Sequence, residues 1–295
     1  MISLQGRLGR HQSNVAFLFI TPTMLLFAVF TLIPIVLSLY FSFTNYDVLS
    51  RIEFIGLDNY KRMLDDHILW VTFRNVFIFS VIYVPFNLAI ALSLALLLNR
   101  PRRGVGTFRT MYYVPTLTSG VAAATVWLWL LNPEYGLINQ LLSYVGITGP
   151  AWLATTDTAL ISVTMVILWQ TVGSNMIIYA AGLQGIPDYL YESARLDGAG
   201  AFACFRYITL PSLKPTTFFV STMTIIGALQ LFDQPYVLTQ GGPANATRTV
   251  VYNIYQSGFN ELQMGYASAQ AFLLAAIILI FAFINMRLNK EGSMI

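Results

Sequence analysis

The chain has 295 residues, of which 56% are hydrophobic and only 10% charged, with a formal net charge of +3 at pH 7. A soluble globular domain carries about 25% charged residues, so this composition cannot build a water-facing surface and indicates a membrane protein. Cys204 is the single cysteine, which excludes an intrachain disulfide and leaves no plausible thiolate metal site. His11 and His67 lie far apart beside charged segments and are read as solvated. No catalytic residues, no metal site and no nucleic-acid partner are expected.

A helix needs roughly 20 mostly apolar residues to cross a hydrocarbon layer about 30 Å thick, and six windows meet that need. The first lies between His11 and Asp47. Arg7 and Arg10 precede it as they would a signal peptide. The run is long, however, contains Pro22 and Pro34 and lacks a small-residue cleavage site, so it is read as an uncleaved helix. The second window lies between Arg74 and Arg100, and the third follows Arg109 and ends before Glu134. Residues 136–145 then carry Leu137, Ile138, Leu141, Leu142 and Val145 along one helical face. They are expected to lie on the outer membrane surface, either as packing or as a partner contact. The fourth window lies between Asp157 and Asp188, the fifth between Lys214 and Asp233 or slightly beyond, and the sixth between Glu261 and Arg287. Helices satisfy their own backbone hydrogen bonds, as the membrane interior demands. The strands of a barrel would be short and alternating. The fold class is therefore an all-α polytopic membrane protein with six transmembrane helices, read as a single transmembrane domain over residues 1–295.

Lysines and arginines set the orientation. Arg7, Arg10, Arg100, Arg102, Arg103, Arg109, Arg195, Arg206, Lys214, Arg287 and Lys290 fall on one side. Arg51, Lys61, Arg62, Arg74 and Arg248 fall on the other. The positive-inside rule puts the richer side in the cytoplasm, with both termini inside. Residues 185–213 then form a cytoplasmic loop, and 45–73, 132–157 and 239–262 are external.

The cytoplasmic loop is structured. Asp188 after Pro187 reads as a helix N-cap, and residues 189–197 give about two and a half turns. Gly198 is the residue type that ends helices at positive φ. A second helical stretch over 201–208 is closed by Pro211. Leu190, Ala194, Leu196, Phe202 and Phe205 make the loop partly apolar. Such a knob suits a groove in another protein, the alternative being packing against its own bundle.

Three segments of this loop, Glu192-Ser193-Ala194, Asp197-Gly198-Ala199 and Ile208-Thr209-Leu210-Pro211, resemble the EAA loop of permease subunits of binding-protein-dependent ABC importers. That family's pattern is Glu-Ala-Ala, a Gly four residues after the second Ala, and a downstream Ile-x-Leu-Pro. The segments Gly182-Leu183-Gln184-Gly185-Ile186-Pro187, Gly56-Leu57-Asp58-Asn59-Tyr60 and Leu238-Thr239-Gln240-Gly241-Gly242-Pro243 are also similar to the carbohydrate branch, near the maltose and glycerol-phosphate permeases. Ser193 departs from the usual first Ala but is equally small. The extra external domain and helices of the maltose permease are absent. The resemblance implies the ABC type I importer permease fold with N-in/C-in topology in a bacterial or archaeal plasma (inner) membrane. It implies that Glu192, Ser193, Ala194, Asp197 and Gly198 couple to an ATPase. The implied partners are a second homologous permease, two ATPase subunits, an extracytoplasmic substrate-binding protein, a sugar substrate and membrane lipid. No Gly-Lys-Ser/Thr phosphate loop is present, so this chain is expected to hold no cofactor and to be no enzyme. ATP and Mg belong to the ATPase.

The centre of the fourth window is polar, with Gln170, Thr171, Ser174 and Asn175. In the fifth, Thr224, Gly227, Ala228 and Leu231 share one face, near Gln230 and Asp233. We expect Gln170, Thr171, Ser174, Asn175, Thr224 and Leu231 to line a substrate pathway, although small and polar residues also hold membrane helices together. No ionisable residue falls mid-window, which disfavours proton- or ion-coupled transport. Amides and hydroxyls beside aromatic rings suit an uncharged sugar or oligosaccharide, carried by alternating access. The alternative is a stand-alone secondary transporter or channel for a small polar solute.

Overall fold

The computed structural model describes residues 19–99 and 103–292. The expectations resting on Arg7, Arg10, His11, Arg100 and Arg102 lie outside these residues. In chain order the helices are α1 (Phe19–Ser42), α2 (Asp58–Asp65), α3 (His67–Leu98), α4 (Val105–Leu117), α5 (Gly120–Leu130), α6 (Leu137–Tyr144), α7 (Thr156–Gln184) and α8 (Asp188–Leu196). There follow α9 (residues 201–212, with a widened turn at Phe205–Thr209), α10 (Lys214–Leu229), α11 (Asp233–Leu238), α12 (Val250–Tyr255, continued by a widened turn at Gln256–Asn260) and α13 (Met264–Gly292). Among the described residues the one extended pairing is a single antiparallel bridge from Thr44 to Phe54.

Among the described residues, five segments are long and apolar enough to cross a membrane: Phe19–Ser42, His67–Leu98, Thr156–Gln184, Lys214–Leu238 and Met264–Arg287. They correspond to the first, second, fourth, fifth and sixth windows. The third window is broken into α4 and α5. Thr118 and Ser119 have ψ of 145° and 136°, outside helical space, and Pro115 has removed one backbone donor just before them. Two boundaries also move. The second helix starts at His67 rather than beyond Arg74, because the Asp66 side chain caps it by accepting from the Leu69 N–H at 3.1 Å. The N-cap of α8 is Pro187, not Asp188. Asp188 is instead the first helical residue and makes no capping bond; its charge still favours that end of the helix dipole.

The chain divides into two compact units, Met1–Asp65 with Ile254–Leu273 and Asp66–Asn253 with Leu274–Ile295. In the first, the external-type segment after α1 is tied back to the end of that helix. Buried Asn59 donates to the carbonyl of Ser42 at 2.9 Å, an acceptor that the helix terminus leaves without a partner, and to that of Thr44 just past the helix at 2.8 Å. Tyr60 donates to the Ser42 hydroxyl at 2.9 Å, and the Arg62 guanidinium stacks 4.0 Å from the Tyr266 ring centroid. Asn59→Ala is expected to cost about 1–3 kcal/mol, the penalty for stranding buried acceptors. A lower melting temperature in detergent, with cleavage of residues 45–57 by added protease, is the readout.

In the second unit α7 is the central helix. One cluster joins Phe79 and Tyr83 of α3, Val163, Val166 and Ile167 of α7, and Ala228 of α10. Another joins Ala91 and Ala95 of α3, Met176 and Tyr179 of α7, and Val220 of α10. Lipid tails are as apolar as these side chains, so close packing rather than escape from water holds such helices together. Small residues make that possible. At Gly173 an added Cβ would lie 1.9 Å from the Tyr112 carbonyl oxygen, so α4 and α7 cross almost backbone to backbone. The Thr116 hydroxyl donates to the Gln170 carbonyl at 2.8 Å beside this crossing.

Candidate functional site

Polar side chains from three helices of the second unit meet in one chain of hydrogen bonds. Asn175 of α7 donates to Asn87 Oδ1 of α3 at 2.6 Å and to Thr224 Oγ1 of α10 at 3.0 Å. Asn87 donates to Thr171 Oγ1 at 3.0 Å, and Tyr83 shares a 2.9 Å bond with the same hydroxyl. Thr171 gives its proton to the Ile167 carbonyl at 2.7 Å, so the Tyr83 hydroxyl is the donor in that pair. Thr224 likewise gives its proton to the Val220 carbonyl at 2.7 Å. Asn87, Asn175 and Thr224 are all buried. The members satisfy one another, as polar groups inside a membrane protein must.

Asn175 and Thr224 therefore sit in an interhelical network and not on an open wall. Asn175→Leu is expected to cost roughly 1–2 kcal/mol, the range for such bonds between membrane helices. The readout is a lower melting temperature with an unchanged half-saturation concentration for transport.

Gln170 has a different task. Its Nε2 donates to the Thr118 carbonyl at 3.2 Å, and its Oε1 accepts from Gln234 Nε2 at 2.8 Å. Thr118 is where the third window breaks, so its carbonyl has lost its helical donor, and Gln170 replaces it. A second interruption, residues 230–232 between α10 and α11, is treated the same way: the Thr249 hydroxyl donates to the Leu231 carbonyl at 2.7 Å. Irregular backbone at membrane depth is tolerated only where it is buried in protein or faces a cavity.

Such a cavity is present. It holds about 260 Å³ and is lined by Phe79, Tyr83 and Thr171 on one side and Gln230, Leu231, Phe232 and Asp233 on the other. Of the six expected pathway residues, Thr171 and Leu231 lie in this wall. Gln170, Asn175 and Thr224 lie behind it as supports. Half-buried Ser174 bonds back to the Thr171 carbonyl at 2.8 Å. Phe79, Tyr83 and Asn87 on α3 were not among the expected residues. Their signal was the pair Tyr83 and Asn87, four apart on one face in an otherwise apolar window. The wall combines aromatic rings with an amide, a carboxylate and a hydroxyl.

The external-type loop after α11 is braced. Thr239 and Thr247 share a 2.6 Å bond, Thr247 also reaches the Gly242 carbonyl at 2.8 Å, and Asn75 holds the carbonyls of Asn245 and Arg248 at 2.7 and 3.0 Å.

The connection from α7 to α10 presents the other group of expected residues. Helix α8 ends as its sequence predicts. Gly198 has φ +83°, its N–H donates to Arg195 O at 3.0 Å, and the Ala199 N–H donates to Ala194 O at 2.8 Å. This paired termination satisfies two terminal carbonyls and turns the chain sharply. Tyr191 and Thr209 then join α8 to α9 through a 2.9 Å bond. Glu192, Ser193, Asp197 and Gly198 are exposed and Ala194 half-buried. Beside them Leu196 is 89% exposed and Phe202 79% exposed. Leu190 and Tyr191, in contrast, pack against the helix bundle. The connection thus has an anchored face and an apolar, unpartnered tip.

The sequence profile described as binding-protein-dependent transport system inner membrane component matches residues 87–291. A similar whole chain is the probable ABC transporter permease protein YurN of Bacillus subtilis, 36% identical over 94% of this chain and 97% of its own. Another is the lactose transport system permease protein LacF of Rhizobium radiobacter, 34% identical over 97% and 98%. Among solved structures, a chain of a bacterial alginate ABC transporter, in complex with an alginate pentasaccharide-bound periplasmic protein, superposes with a TM-score of 0.86. That match covers 95% of this chain and 96% of the other at 22% identity, and shows a shared fold.

Proposed function

The chain belongs to the family of inner membrane components of binding-protein-dependent transport systems, and from that we propose that it forms the sugar pathway of an ATP-driven importer. It is a multi-pass inner-membrane transport subunit. A stand-alone secondary transporter or channel accounts for the spans but not for membership of a family whose transport depends on a binding protein.

Our reading of the complex is one copy of this chain, a second homologous permease, two ATPase subunits that hold ATP and Mg, and an extracytoplasmic binding protein. The topology is N-in/C-in with six crossings, the third being the α4–α5 pair with its break. Residues 185–213 are the coupling loop of one permease domain. Glu192, Ser193, Ala194, Asp197 and Gly198 sit at the docking surface, with Leu196 and Phe202 as its apolar anchors. The exposed tip of that loop is the observation that carries the proposal. Side chains so apolar and so exposed at a fixed turn need a cover, and a cleft in an ATPase supplies it. Moving a population from 1:99 to 99:1 needs about 5.5 kcal/mol of differential interaction, so the whole docked surface must change between the two states.

The substrate is an uncharged sugar or oligosaccharide. Phe79, Tyr83 and Phe232 offer faces for stacking, and Gln230 and Thr171 offer hydrogen bonds. The Asp233 carboxylate accepts from hydroxyls and repels acidic sugars. The relative LacF is named for lactose transport, which agrees with a neutral ligand. Uptake into proteoliposomes holding the purified complex, with ATP inside and binding protein outside, tests this. A neutral disaccharide is expected to be accumulated and a uronate oligomer not, and Leu231→Trp is expected to block uptake while ATP hydrolysis persists. Preference for the acidic sugar, or normal uptake with Trp at position 231, would overturn the site.

A further inference from the structure

Where α3 ends and α4 begins, a groove of about 350 Å³ runs between α3, α4 and α7. Its floor is apolar, with Ala95, Val114, Leu117 and Ile177, and its mouth is polar, with Arg109, Thr110 and Gln184. From Arg109 to Leu117 it follows α4 for about 12 Å at 1.5 Å per residue. Val114 and Leu117 are exposed along it.

Arg109 is the unusual member. It is half-buried. One guanidinium nitrogen donates to the Leu98 carbonyl at the end of α3, at 2.6 Å. Its Nε is buried and has no partner among the described residues. The ion pair found among those residues joins Lys61 to Asp58, so no described carboxylate neutralises Arg109. A partly desolvated guanidinium without a counter-charge is costly, and its planar fork matches phosphate oxygens. Arg103 is exposed just before α4, and Arg100 and Arg102 adjoin it in sequence, so the segment linking α3 to α4 is cationic in composition.

We propose that the groove is a binding site for one anionic phospholipid of the cytoplasmic leaflet. Its phosphate rests on Arg109 and one acyl chain lies along Val114, Leu117 and Ile177. A helix from a second protein would cover the apolar floor but leave the cation at the mouth unpaired. A phospholipid supplies both the chain and the charge at the right separation. The site rests on the membrane placement of the chain and not on the identity of the sugar or of the ATPase.

Native mass spectrometry of the intact transporter, titrated in detergent with phosphatidylglycerol or phosphatidylcholine, tests it. The wild type is expected to retain one phosphatidylglycerol per copy of this chain, with a preference of about fivefold, the effect of one arginine near a membrane surface. Arg109→Gln should bring that preference to parity, and Arg109→Lys should keep part of it, since charge remains but the fork is lost. Ala181→Trp fills the groove and leaves Arg109 in place, so it should remove retention of both lipids. Equal retention of the two lipids by the wild type, or an unchanged preference in Arg109→Gln or Ala181→Trp, overturns the site. Displacement of the lipid by an equal concentration of soluble glycerol phosphate also overturns it, because the groove would then hold a free anion.

Discussion

Leu196→Asp combined with Phe202→Asp is expected to abolish ATP-driven uptake while leaving the chain folded in the membrane. Both side chains are largely exposed at the tip of the α7–α10 connection, so neither supports the bundle. If both are buried in an ATPase cleft, each contributes about 1.5–3 kcal/mol to docking. Losing 3 kcal/mol already weakens an interface by more than about 100-fold, and a buried carboxylate adds a further desolvation cost. Uptake should fall to background, with expression and melting temperature near those of the wild type. Tyr144→Asp is the matched control, since Tyr144 is equally bare at 86% exposure but lies on α6. Gly198→Pro should have the same functional effect by another route. It removes the N–H that bonds Arg195 O and cannot adopt φ +83°, so the turn that aims the tip is lost. Normal uptake in both variants would remove the docking role of this loop.

Gly173→Leu is expected to unfold the second unit's helix crossing. A single added carbon would already sit 1.9 Å from the Tyr112 carbonyl oxygen and 2.7 Å from its carbon. The obstructing atoms are backbone, which cannot rotate away as a side chain can. Helix α4 must retreat, and with it goes the bond from Thr116 to the Gln170 carbonyl. Overpacking of this kind costs about 1–3 kcal/mol or more, and a backbone collision lies at the upper end. A melting temperature well below that of the wild type, with loss of assembled complex, is the readout. Gly227→Ala is the contrast, because nothing lies within 4 Å of a Cβ there, and it should fold normally.

The helices were legible because a backbone in lipid has few choices, so a long apolar run already implies a span. The break at Thr118 and Ser119 was not. Hydropathy averages over a window, and two small polar residues barely lower it; what permits the break is the Gln170 side chain, 52 residues away. The early start of α3 was hidden for a related reason. Arg74 looked like the end of an apolar run, but a long cationic side chain can sit inside a helix near the interface and extend its charge to water. Gly198 was legible because its turn makes a local demand that few residues meet.

The pathway residues show where reading one chain stops. A glutamine or asparagine in mid-span announces that it needs a partner, not whether that partner is a helix or a ligand. Asn175 found Asn87, 88 residues away, and Gln170 found Gln234, 64 away. No local pattern encodes such pairings. Thr171 and Leu231 reached the cavity wall because the network and the broken end of α10 hold them there.

Cross-linking offers the most direct measurement. Leu196→Cys in a Cys204→Ser background leaves one thiol in this chain, at the tip of α8. With a short bifunctional reagent that also reacts with lysine, the expected product is a single adduct between this chain and an ATPase subunit, whose yield changes when ATP is added. Adducts formed only within this chain, or none with an ATPase despite its presence in the complex, would contradict the proposal that this loop carries the motion from the ATPase to the membrane helices.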